Sequence, residues 1–254
     1  MAATVPVPSV PLPDIEAEAR RLMAAASART LPVRLLGGLA VRLRGPGGRE
    51  HPFARSYKDI DLVVRRRACD EVAALVTELG WVPDQTFNAM NGHRRLLFRE
   101  PSTDRQVDVF VGSFAMCHTI PLLERLDCDP ISIPLAELLL TKLQIIELNE
   151  KDQVDVLALL TDHDVAEEDG ETINAARVAE LCSRDWGLWR TAKLNIGRTR
   201  EAIARLPVTQ SAPIATRLEM LWERIQSEPK PARWRMRDRV GDRVRWYDEP
   251  EEVD

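Results

Sequence analysis

The alternation of apolar and polar positions divides this chain into two kinds of territory. Val33 to Leu36 read as a short strand that turns at Gly37-Gly38 into a helix, LAVRL. Asp59 to Val64, sequence DIDLVV, read as the next strand. Residues 68–80, ACDEVAALVTELG, place apolar side chains at helical spacing and end on glycine. From 87 to 112 the pattern turns to strands, with HRRLLFRE and QVDVFVG separated by the turn-rich PSTDR, a hairpin signal. ISIPL at 131–135 is a short extended piece. AELLLTKLQIIEL and KDQVDVLALL then read as helices, the first strongly apolar, and helical patterns resume over 172–226. Residues 161–171, TDHDVAEEDGE, are acidic, lack periodicity and read as a surface loop. Residues 14–28 open with Asp14 as a helix cap, and the proline-rich 1–13 form an extended lead-in.

The pattern predicts an α+β chain, with a mixed sheet flanked by helices followed by an all-helical part. The expected division is an α/β domain over 1–134, a helical domain over 135–227 and a charged tail over 228–254. The 254 residues, 44% apolar and 30% charged, suffice for a real core and exclude wholesale disorder. Net charge is −5, so any electrostatic footprint for a polyanion is local. The four cysteines lie far apart and form no CxxC pair, which argues against zinc and for free thiols. With no secretory pattern and no apolar run of spanning length, a cytoplasmic protein without membrane contact is expected.

Asp59 and Asp61 carry the most chemistry. Carboxylates at i and i+2 on a strand point to one face, where they repel unless a proton or cation intervenes. A hard divalent ion such as Mg²⁺, with Mn²⁺ the alternative, takes oxygen ligands and shares them with phosphates. Asp108, in another strand, alternates onto a face with Phe110, so three aspartates converge if the two strands are neighbours. Gly37 and Gly38, at a strand-to-helix turn, let backbone N–H groups approach phosphate. Arg55, Ser56 and Lys58 either grip a triphosphate or supply loop polarity. His93 and His118 show no ligand spacing and read as structural. The segment 233–245 interleaves six arginines with tryptophan; it reads first as a surface helix or hairpin neutralised by the acidic C-terminus, and second as an RNA contact.

LLGG, then KDIDLVV, then VDVFVG resembles the signature of the nucleotidyltransferase fold, the superfamily containing DNA polymerase β. TKLQIIELNEKDQVDVLALL is similar to the Lys-…-Lys-Asp-x-x-Asp segment of nucleotidyltransferase toxins from abortive-infection systems, and the resemblance spans about 33–160. It departs from the family in the twenty residues between Gly38 and Asp59, which make 45–57 an insertion. The resemblance implies that Asp59, Asp61 and Asp108 bind Mg²⁺, with Asp108 helping to deprotonate an acceptor hydroxyl. Gly37, Gly38, Lys58 and Lys142 would then contact the nucleotide, as would Asp152, with Asp152 and Asp155 facing the cleft or bracing Lys142. The implied substrates are an NTP and an acceptor, RNA such as a tRNA end or a small molecule of the aminoglycoside type, with an antitoxin as a further partner. A non-catalytic module that binds nucleotide or RNA is the competing reading.

Overall fold

The computed structural model describes residues 10–45 and 53–249. Residues 1–9 of the lead-in, 46–52 of the expected insertion and the last five acidic-tail residues therefore lie outside the described residues. The chain divides into two compact units: residues 1–40, 56–113 and 121–132 form the first, and 41–55, 114–120 and 133–254 the second.

In the first unit, α1 (Ile15–Ala28) starts where Asp14 accepts the Ala17 N–H at 2.7 Å. β1 (Val33–Leu36) runs into α2 (Gly37–Arg44), and β2 (Asp59–Val64) is followed by α3 (Cys69–Glu78), whose chain turns at Gly80 with φ +98°. β3 (Val82–Pro83), α4 (Gln85–Asn91), β4 (Arg95–Arg99) and β5 (Gln106–Val111) complete a five-stranded sheet in the order β1-β2-β5-β4-β3. Only β2 and β5 pair in parallel within it; the other neighbours are antiparallel. Ser132 of the extended piece bridges to Leu35 of β1.

Alternation along the strands gives the sheet two unlike faces. Leu35, Ile60, Leu62, Val107, Val109 and Phe98 are all buried, and α1 and α3 pack together beside β1 and β4. The opposite face carries Asp59, Asp61, Gln106, Asp108 and Arg95, by the pairing register.

One expectation fails locally. The stretch 85–91, read in part as strand, is helix α4, capped where Asp84 accepts the Phe87 N–H at 3.0 Å. Its Asn88 donates to the Leu97 carbonyl at 3.0 Å and accepts the Leu97 N–H at 2.7 Å. The amide oxygen thus takes the Leu97 N–H that a neighbouring strand would have accepted, while the Leu97 carbonyl also accepts the Asp84 N–H at 2.9 Å, and a periodicity count reveals neither.

Short strands β6 (Ser113–Ala115) and β7 (Thr119–Pro121) pair with each other. In the second unit α5 (Leu135–Leu143) is buried along its whole length and packs against α6 (Glu150–Asp162). It stops five residues before the end of its apolar run. There the Asn195 amide takes the carbonyls of Leu143 and Ile145 at 2.9 and 2.6 Å, satisfying groups that a helix would have used. The acidic 161–171 region holds β8 (Val165–Ala166), which pairs in parallel with β9 (Ile173–Asn174). α7 (Ala175–Arg184), α8 (Trp186–Ile203) and α9 (Val208–Ser227) complete the helical packing.

The basic tail folds as α10 (Ala232–Val240) and is anchored by its aromatic groups. Trp234 lies edge-on to Trp189 at 4.9 Å and donates to the Cys182 carbonyl, while Trp186 donates to Asp238 at 2.7 Å. Among the described residues, no helix is long and apolar enough to cross a membrane.

Candidate functional site

Two constellations of charged side chains stand out, one in each unit. In the first, β2 and β5 lie side by side with Asp61 opposite Asp108 and Asp59 opposite Gln106. Register partners share a face, and neighbouring strands are about 4.8 Å apart, so the three aspartates expected to converge do stand on one face. Asp59 is exposed at the strand's start, Asp61 is half-buried, and Asp108 is 1% exposed.

Gly37 has to be glycine here. Its φ is +71°, and a Cβ on it would fall 1.9 Å from Asp61 Oδ2. The backbone at the start of α2 therefore presses directly against the Asp61 carboxylate, which only a residue without a side chain permits. Gly38 follows inside the first turn of the same helix.

Asp108 is held by partners that spacing alone did not point to. Arg95 Nε donates to Oδ1 at 2.7 Å and Gln106 Nε2 to Oδ2 at 3.2 Å. Arg95 pairs in register with Phe110, two residues from Asp108, and so reaches the carboxylate along the diagonal. Its guanidinium also lies over the rings of Phe87 and Phe110 at 5.5 and 5.1 Å. Burial raises the pKa of Asp108 above the usual carboxylate range, with the Arg95 hydrogen bond and charge opposing that rise. A sequence signal for Arg95 existed only in the strand alternation, which places it on the aspartate face once the β4–β5 register is known.

Do these residues suit a divalent cation? The donor set is chemically right: three carboxylates on one face, beside a helix start whose backbone has no Cβ in the way. Among the described residues, however, no group of three or more His, Cys, Asp or Glu side chains is gathered closely enough to hold a metal. Asp59 and Asp61 supply two of the carboxylates such an ion needs; Asp108 joins them only if it turns one oxygen from its Arg95 and Gln106 donors. Lys58, expected near a triphosphate, is exposed and ion-paired with Asp104, which raises its pKa.

The second constellation gathers Lys142 of α5 with Asp152 and Asp155 of α6. Lys142 Nζ stands 2.8 Å from Asp152 and 3.0 Å from Asp155. Burial pulls the lysine pKa down, but Asp155 and Asp152 outweigh it and hold the pKa above the ordinary lysine range. Asp155 is 1% exposed and also takes a two-pronged ion pair from Arg55, at 2.9 and 2.7 Å. Asn149 caps α6 by accepting the Asp152 N–H, which orients this first turn. Lys142, Asp152 and Asp155 are thus brought together, as the bracing alternative expected. Arg55, read as a triphosphate contact or loop polarity, is a member of this cluster.

The histidines take structural positions where contacts are seen. His118 is buried, with Nε2 2.8 Å from the Thr191 hydroxyl, and burial lowers its pKa despite Asp185 and Asp248. A scan against protein-family models matches none, and a search of curated proteins gives no significant match.

Proposed function

We propose that this protein is a metal-dependent nucleotidyltransferase that moves a nucleoside monophosphate from an NTP to an acceptor hydroxyl. The observation that carries this reading is the pairing of Asp61 with Asp108 across two parallel strands, with Asp59 on the same face and Gly37 against Asp61. A protein with no use for the arrangement gains nothing by placing three like charges on one sheet face. The likeness of LLGG, KDIDLVV and VDVFVG to the nucleotidyltransferase signature supports the same reading.

In this reading Asp59 and Asp61, joined by Asp108 once it turns an oxygen from Arg95 or Gln106, would hold Mg²⁺ or Mn²⁺, which would supply charge neutralisation of the triphosphate. Backbone N–H groups at Gly37 and Gly38 face phosphate oxygens at the start of α2. Asp108, whose proton affinity burial has raised, takes the proton of the attacking hydroxyl on a carboxylate oxygen. A bond forms between that hydroxyl oxygen and the α-phosphorus, the bond to the bridging oxygen breaks, and pyrophosphate leaves. Catalysis is then chiefly positioning and charge neutralisation.

The acceptor is RNA or a small polyhydroxylated molecule. Incubating the full chain with Mg²⁺, α-labelled NTPs and either total RNA or aminoglycosides tests the reading. Label is expected in one acceptor class and is expected to vanish with Asp59→Asn. Calorimetry showing Mg²⁺–NTP binding, with no label transferred to any acceptor, would replace the enzyme with a nucleotide-binding module.

A further inference from the structure

We propose that the outer side of α10 and the turn after it form a binding surface for the phosphodiester backbone of single-stranded RNA. This stands independently of the transfer reaction. Arg235, Arg239 and Arg243 recur every four residues and are all exposed, and none makes an ion pair among the described residues. Beside them lies an open concavity of about 630 Å³ whose lining includes Lys193, Arg239, Arg243 and the largely buried Trp186 and Trp189. A second hollow of about 390 Å³, lined in part by Arg184 and Arg233, shares Trp186 with the first.

Of the carboxylates lining the two hollows, Asp238 accepts only the neutral Trp186 indole N–H, and the other two are engaged. Asp242 is taken by Arg190 through two bonds at 2.8 and 2.6 Å. Asp185 caps α8, accepting the N–H groups of Gly187 and Leu188. Lys193, Arg239 and Arg243 remain as a cationic rim on a chain whose net charge is −5. The interleaved Trp234 and Trp246 suggest base stacking on sequence grounds, but Trp234 is below a tenth exposed, and the half-buried Trp246 has Arg190 over its ring and lies edge-on to Trp186. They anchor the tail, and their faces are not offered to bases. Recognition therefore runs through phosphate charge, which is insensitive to sequence and sensitive to salt.

The chemistry of the lining narrows the ligand. Asp238 lines the first concavity with one oxygen accepting the Trp186 indole N–H and the other accepting no hydrogen bond among the described residues, and the 2′-hydroxyl is the donor that RNA has and DNA lacks.

The test is fluorescence anisotropy of labelled oligo(U) and oligo(dT) of equal length with the full chain across a salt series. Oligo(U) is expected to bind more tightly than oligo(dT), with log affinity falling by about 0.7 per contacted phosphate for each decade of salt. Reversing two charges, in Arg239→Glu/Arg243→Glu, is expected to weaken binding at least about tenfold and to flatten the salt slope by about 1.4. Asp238→Asn is expected to narrow the RNA–DNA difference, and Asp59→Asn to bind as wild type, so that a failure of the transfer reading leaves this one standing. Native tryptophan fluorescence verifies that the double variant is folded. The proposal is overturned if oligo(U) does not bind, if the double reversal binds equally well, or if polyphosphate competes as effectively as RNA at equal charge. Retention on anionic lipid vesicles without oligo(U) binding would assign the surface, with its exposed Met236, Val240 and Val244, to a membrane instead.

Discussion

Asp61 of β2 and Asp108 of β5 are direct register partners on adjacent parallel strands, so their side chains leave the sheet on the same face. Had the register slipped by one residue, Asp108 would turn into the apolar layer while Val107 and Val109 turned out of it. Asparagine at position 108 retains the side chain's shape but removes the charge that a cation needs. Asp108→Asn is expected to reduce nucleotidyl transfer by at least about 100-fold, with a native circular dichroism spectrum. Transfer within a few-fold of wild type would remove Asp108 from the chemistry.

Gly37 offers a sharper probe, because one methyl group tests the backbone approach. In Gly37→Ala the new Cβ would sit 1.9 Å from Asp61 Oδ2, on a backbone at φ +71°. A cost of about 1–3 kcal/mol is expected in urea titration, together with weakened Mn²⁺ binding as Asp61 is pushed aside. Gly38→Ala, whose neighbour takes the close approach, is the comparison variant. Wild-type stability in Gly37→Ala would mean that Asp61 rearranges freely.

Lys142, Asp152, Asp155 and Arg55 form a charge-balanced cluster in the second unit. Lys142→Met removes one cation and leaves Asp155 to Arg55 alone, so a loss of about 3 kcal/mol is expected, at the lower end for a broken buried pair. The paired change Lys142→Met/Asp152→Asn is expected to recover part of that loss. Equal losses in the single and double variants would show that the lysine is not bound to Asp152 energetically.

The pH dependence of stability should carry the signature of buried neutral histidine. Burial lowers the folded-state pKa of both His118 and His163. The unfolded chain, with histidine pKa about 6.5, therefore binds more protons than the fold below that pH. Their stabilising contribution is complete above about pH 6.5 and is lost as the pH falls toward the lower folded values. Urea midpoints measured from pH 7.5 to 5 should fall in wild type and fall less steeply in His118→Gln. Parallel pH profiles for the two proteins would assign the loss elsewhere.

Local chemistry was readable from the chain itself. Asp14 as a helix cap, the strands 33–36 and 59–64, the 95–111 hairpin and the single face shared by Asp59 and Asp61 follow from short-range geometry, which acts within a few residues. Tertiary structure alone decided the rest. Asn88 takes the Leu97 N–H of β4 where the β3 ladder ends, and Asn195 meets the end of α5 from another helix. Arg95 claims Asp108, while Arg55 joins Lys142 around Asp155 from a hundred residues away. Each of these choices turns on which donors arrive near a buried acceptor once strands have paired and helices have packed. Such neighbours have no spacing along the chain for a pattern to detect, because a hydrogen bond depends on distance in space and not on separation in sequence.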